Sequence, residues 1–96
     1  MVLEVALIDI TPGQEDAFND AYHTARSILS TTPGVQSVRM TRGIESPSRF
    51  VLLVEWDEVE SHEVNFRGTE RFTQWRGLIG PYFAGPPLVE HFSDVD

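Results

Sequence analysis

From Arg49 to Trp56 the chain places Phe50, Leu52, Val54 and Trp56 on one side of an extended strand and Val51 and Leu53 on the other. Both faces are apolar, so both need cover. The same alternation runs through Val2–Ile10, with Leu3, Val5 and Leu7 on one face and Val2, Ala6, Ile8 and Ile10 on the other. Thr11-Pro12-Gly13 breaks that strand. A helical period follows from Gln14 to about Ser30, where Phe18, Tyr22, Ala25 and Leu29 share a face and Glu15 and Asp16 suit the first turn. Thr31-Thr32-Pro33-Gly34 stops it. Val35–Arg42 is a more polar strand carrying Val38 and Met40 on one face, and Gly43–Ser48 is a loop. After Trp56 the pattern predicts helical segments over Glu58–Phe66 and Thr69–Ile79, separated near Gly68. Gly80-Pro81 and Gly85-Pro86-Pro87 close the helical region, and Leu88–Phe92 is the last strand.

The order β-α-β-β-α-β predicts one α+β domain over residues 1–96, a ferredoxin-like βαββαβ antiparallel sheet with helices on one face. That topology centres the first and third strands, which are the two apolar ones. The face bearing Val5, Leu7, Val51 and Leu53 would then lie open, which monomers rarely tolerate. Packing two such sheets face to face gives a homodimer through the open sheet face.

Composition narrows the chemistry. The 96 residues contain no cysteine and no lysine, so thiolate, iron–sulfur and Schiff-base chemistry are excluded. A net charge of −8 argues against nucleic acid and anionic membrane as partners. No apolar run approaches a spanning length and no signal-like core is seen, so a cytoplasmic protein is expected. His23, His62 and His91 stand on different elements at no metal-like spacing, and no dinucleotide glycine motif is present. The expected cofactor set is none, and the metal set none.

Val59, His62 and Phe66 lie at i, i+3 and i+7, which turns His62 toward the apolar stripe. Arg76 falls between Phe72 and Ile79 on the next segment. An inward arginine supplies fixed positive charge, an inward histidine accepts a proton near neutral pH, and Trp56 offers a flat wall to an aromatic ring. Tyr22 is placed to donate to a ligand from the first helix. The competing readings are structural: His62 as a hydrogen-bonded core residue, Arg76 paired with a glutamate or snorkelling past Phe72 to the surface, Trp56 as core, and Tyr22 merely reaching water.

With its Thr11-Pro12-Gly13 strand end, Pro33-Gly34 helix stop, Val54-Glu55-Trp56 running into a helix, and Gly85-Pro86-Pro87 before the last strand, the chain resembles the antibiotic biosynthesis monooxygenase family, the dimeric α/β-barrel proteins, over essentially its whole length. Its pattern is similar to the small oxygenases that convert anthrone-like phenols to quinones without metal or flavin. The resemblance implies a cofactor-free oxygenase dimer taking a small aromatic molecule; joined to the inward placement of His62, Arg76 and Tyr22, it gives catalytic His62 and Arg76 and a substrate site of Trp56, Tyr22, Leu52, Phe66 and Phe72. Trp56 and Arg76 match the family's pattern. His62 stands where such enzymes carry a tyrosine, and Leu52 where they carry an asparagine. A non-catalytic ligand-binding or stress-related dimer of the same fold, or a cofactor-free isomerase or cyclase, stands as the alternative. Heme degradation does not fit: Phe66 and Arg76 stand near the tryptophan and histidine that the related enzymes use.

Overall fold

The computed structural model describes residues 1–96. Strands β1 (Val2–Asp9), β2 (Val35–Arg42), β3 (Arg49–Trp56) and β4 (Leu88–Phe92) form one antiparallel sheet in the order β2-β3-β1-β4. Helices α1 (Glu15–Ser30) and α3 (Glu70–Ile79) cover one face, with the short α2 (Val59–His62) between β3 and α3. This is the ferredoxin-like α+β fold, with the two apolar strands in the middle. Ile10, read from the pattern as strand, instead makes a single bridge to Phe83 beyond the end of β1. No helix is long and apolar enough to cross a membrane.

The core lies between the sheet and α1 and α3. Ala6 and Ile8 of β1, Val38 of β2, and Phe50, Leu52, Val54 and Trp56 of β3 meet Phe18, Tyr22, Ala25 and Leu29 of α1 and Trp75 and Ile79 of α3. Phe18 and Phe50 pack edge to face at 4.8 Å, and burying each such side chain is worth roughly 1.5–3 kcal/mol. Arg71 joins the two helices, donating to the Ile28 carbonyl at 3.1 Å and to Thr31 Oγ1 at 3.0 Å, where α1 has carbonyls without helical partners.

The opposite face of the sheet carries no helix. Val5 pairs with Leu53 and Leu7 with Val51 across β1 and β3, and all four remain half-buried. Leu88 and Phe92 on β4 extend this apolar face and are 58% and 47% exposed.

The region after β3 departs from the single helix expected over Glu58–Phe66. One α-helical turn, Val59–His62, passes into a wider π-helical turn, Glu63–Arg67, closed by the Gly68 N–H donating to the Glu63 carbonyl five residues back at 3.2 Å. Thr69 then caps α3 by accepting from the Arg71 N–H at 3.2 Å.

Candidate active site

Between the inner face of the sheet and the helical layer lies a cavity of about 400 Å³. Glu4, Ala6 and Ile8 of β1, Leu52 of β3 and Val89 of β4 line its sheet side, and Phe66, Phe72, Trp75 and Ile79 line its helix side. Arg67, Arg76, Phe83 and Pro86-Pro87 also border it. The lining is mainly apolar with a few convergent polar groups, the usual make-up of a small-molecule site.

The polar groups form one connected set. Glu4 is 5% exposed and His62 3%. Trp56 Nε1–H donates to Glu4 Oε1 at 3.0 Å, and His62 Nε2 lies 3.4 Å from the same oxygen. His62 Nδ1 is 2.8 Å from His91 Nε2. The imidazole of His62 stacks on Trp56 with ring centres 4.9 Å apart. Burial pushes the Glu4 carboxyl up to about 7, against the opposing pull of the Trp56 hydrogen bond and the Arg67 charge. Burial also brings His62 down to about 4, helped by the charges of His91 and Arg67. Near neutral pH, then, His62 is a neutral imidazole and Glu4 sits close to the midpoint of its titration.

Local structure fixes His62 in place. The Asp57 carboxylate closes the first turn of α2, accepting from the Glu58 N–H at 2.7 Å and from the Ser61 hydroxyl. The Asp57 N–H donates to the Gly34 carbonyl at 2.8 Å, and Asn65 Nδ2 donates to the Pro33 carbonyl at 2.8 Å. Gly34 has φ +99°, and a Cβ there would lie 2.5 Å from Ser61 Cβ. Only glycine lets the start of β2 approach α2 so closely.

Two arginines share the aromatic rim. Arg67 Cζ lies 5.8 Å from the Phe72 ring centre, and Arg76 Cζ lies 5.9 Å from Phe72 and 5.1 Å from Phe83. Both are exposed residues. Arg76 therefore stands at the edge of the cavity and not on the buried stripe of α3, which is Trp75 and Ile79. The rim is cationic in a chain whose net charge is −8.

Among the residues singled out from the sequence, His62, Arg76, Leu52, Phe66 and Phe72 come together around the cavity. Trp56 and Tyr22 do not line it. Trp56 is fully buried behind His62, which covers its ring. Tyr22 packs edge to face against Trp75, at 6.3 Å, and Trp75 holds the cavity side. Glu4, His91 and Arg67 are the additions. Glu4 left a signal, a lone carboxylate on a strand face otherwise made of Val2, Ala6 and Ile8. His91 left none, because only the pairing of β1 with β4 sets it opposite Glu4. No cluster of three histidine, aspartate or glutamate side chains is arranged to hold a metal ion.

The antibiotic biosynthesis monooxygenase family model matches residues 1–78. The Bacillus subtilis protein YczJ, which is uncharacterised, is 36% identical over 95 residues, covering 99% of this chain and 100% of that protein. A Bordetella bronchiseptica structure classed with the antibiotic biosynthesis monooxygenases superposes with a TM-score of 0.94 at 38% identity, covering 98% of this chain and 96% of its own. SnoaB of Streptomyces nogalater, a cofactor-independent oxygenase, shares the fold with a TM-score of 0.83 at 12% identity, over 99% of this chain and 93% of its own. The chain belongs to the antibiotic biosynthesis monooxygenase family.

Proposed function

We propose that the cavity is the active site of a cofactor-independent monooxygenase acting on a small aromatic, phenolic molecule of polyketide type. The observation that carries this reading is the cavity itself: about 400 Å³, walled by Leu52, Phe66 and Phe72, with a titrating carboxyl on its sheet side and arginines at its rim. An anthrone-like substrate is its own reductant. Loss of a proton makes an electron-rich oxyanion that passes an electron to oxygen, and recombination forms a ring hydroperoxide. Loss of water then leaves a quinone carbonyl, so one methylene and one O2 become one carbonyl and one water. Arg76 and Arg67 favour the oxyanion and the peroxide by fixed charge. His62 and Trp56 hold the polar set in register beneath the ring.

A second reading has support in Glu4 and His62, a proton-transfer pair that could serve an isomerase or cyclase with no use of oxygen. Oxygen uptake with a hydroxyanthrone separates the two. The oxygenase reading expects uptake coupled to quinone formation, slowed roughly 10²–10³-fold by Arg76→Ala. Quinone formation no faster than in buffer alone would reject it. In the same proposal two copies pack through the open faces of their sheets, closing over Val5, Leu7, Val51 and Leu53.

A further inference from the structure

We infer that Glu4 is the residue that takes the proton from the bound ligand, and that His62 positions it for that task. This rests on the cavity being the ligand site, but it does not require oxygen as a co-reactant. Both protein contacts of the Glu4 side chain fall on one oxygen: Trp56 Nε1–H at 3.0 Å and His62 Nε2 at 3.4 Å both meet Oε1. Oε2 takes no hydrogen bond from the protein, and since no fully enclosed side-chain oxygen lacks a partner it keeps accessible surface, on a residue that lines the cavity. A carboxylate fixed through one oxygen and presenting the other is arranged as a base toward a ligand.

His62 is not arranged that way. Its Nδ1 is held by His91 at 2.8 Å, its Nε2 faces Glu4, and one ring face is covered by Trp56. Its free edge therefore faces the Glu4 oxygen that Trp56 already holds, which suits it to set the carboxyl's position. The charged and titratable groups around Glu4 are His62 from α2, His91 opposite it on β4, Arg67 from the π-helical turn, and Arg76 from α3 at the rim; α1 contributes only Leu29 to the cavity. With burial holding the carboxyl at about 7, Glu4 is both able to accept a proton and able to release it near neutral pH.

In the step itself, a ligand C–H or O–H proton moves to Oε2 of the carboxylate. For an anthrone, the C–H electron pair moves into the ring and the carbonyl oxygen becomes the anion, which the rim arginines favour. Reversal returns a proton taken from solvent, so the step can be followed without oxidation.

The experiment is deuterium exchange into the methylene of a hydroxyanthrone, under nitrogen in deuterium oxide, followed by proton NMR. Wild-type protein should exchange the methylene faster than buffer, with a rate that rises through pH about 7 and then levels. Glu4→Gln keeps an oxygen for Trp56 but cannot take the proton, and should slow exchange by ~10²–10⁴-fold and abolish that pH step. His62→Gln should retain exchange while moving the pH midpoint, because it changes only what stands beside the carboxyl. Circular dichroism establishes that each variant is folded. Should Glu4→Gln not fold, the wild-type profile and the His62→Gln midpoint decide. Wild-type exchange at the buffer rate, exchange undiminished in Glu4→Gln, or exchange abolished in His62→Gln with no shifted midpoint would each overturn the assignment. Exchange under nitrogen without quinone formation in air would leave the Glu4 assignment standing and remove the oxygenase reading.

Discussion

Glu4 and His62 bury opposite kinds of titratable group against each other, and their stabilities respond to pH in opposite directions. The Glu4 carboxyl rises from 4.5 to about 7 on folding, so its contribution is favourable at low pH and is lost as pH rises from 4.5 to 7. That span of about 2.5 units corresponds to about 3 kcal/mol. His62 falls from 6.5 to about 4, so its contribution is present above 6.5 and lost as pH falls toward 4. Between pH 4.5 and 6.5 the unfolded chain holds the proton on His62 and the folded chain holds it on Glu4, and the two slopes largely cancel. Replacement of the carboxyl separates them. Denaturant unfolding should find Glu4→Gln more stable than wild type by up to about 3 kcal/mol above pH 7, with the difference vanishing toward pH 4.5. A constant difference across that range would mean that Glu4 titrates normally. At this scale the sequence was legible where periodicity speaks. His62, Phe66 and Phe72 follow from helical spacing. Glu4 is one charge in an apolar strand, and whether such a charge is buried depends on what lies over it.

The second helical region shows what periodicity carries and what it leaves out. Gly68 marks the break before α3, and the pattern found it. The change from α to π winding at Glu63 has no sequence mark, since one wider turn is too short to alter a repeat. Yet that turn follows His62 directly and brings Arg67 to within 5.8 Å of the Phe72 ring, setting a second arginine beside Arg76, which the pattern placed on the inward stripe and the structure places at the rim. The anchor upstream is testable. Gly34→Ala places a Cβ against Ser61 at a positive φ, and should cost about 1–3 kcal/mol in denaturant unfolding. It should also weaken any ligand that depends on the position of His62. A neutral effect would show that β2 and α2 can separate without consequence. At the other junction, Thr69→Ala removes the hydroxyl that accepts from the Arg71 N–H and should cost about 1 kcal/mol.

The molecule as a whole has one covered sheet face and one open one. The order β2-β3-β1-β4 was legible because β1 and β3 are apolar on both sides, and only central strands need that. The cavity was less so, because its polar set joins β1 to β4, whose partnership no local pattern announces. On the open face, Val51→Glu or Leu53→Glu should dissociate or unfold a dimer burying on the order of 1,500 Å² or more. Light scattering that finds the wild type monomeric at micromolar concentration would end that expectation. In the proposed function an aromatic ligand in the Glu4–Arg76 cavity is oxidised by molecular oxygen with the protein's own side chains as the only catalytic groups. Mass spectrometry of the quinone formed from a hydroxyanthrone under isotopically heavy oxygen follows the reacting oxygen atom itself. One heavy oxygen atom should enter each quinone molecule, formed by metal-free and flavin-free protein and suppressed by Glu4→Gln and Arg76→Ala. Product formed no faster than in buffer alone, or activity that disappears with chelators, would contradict it.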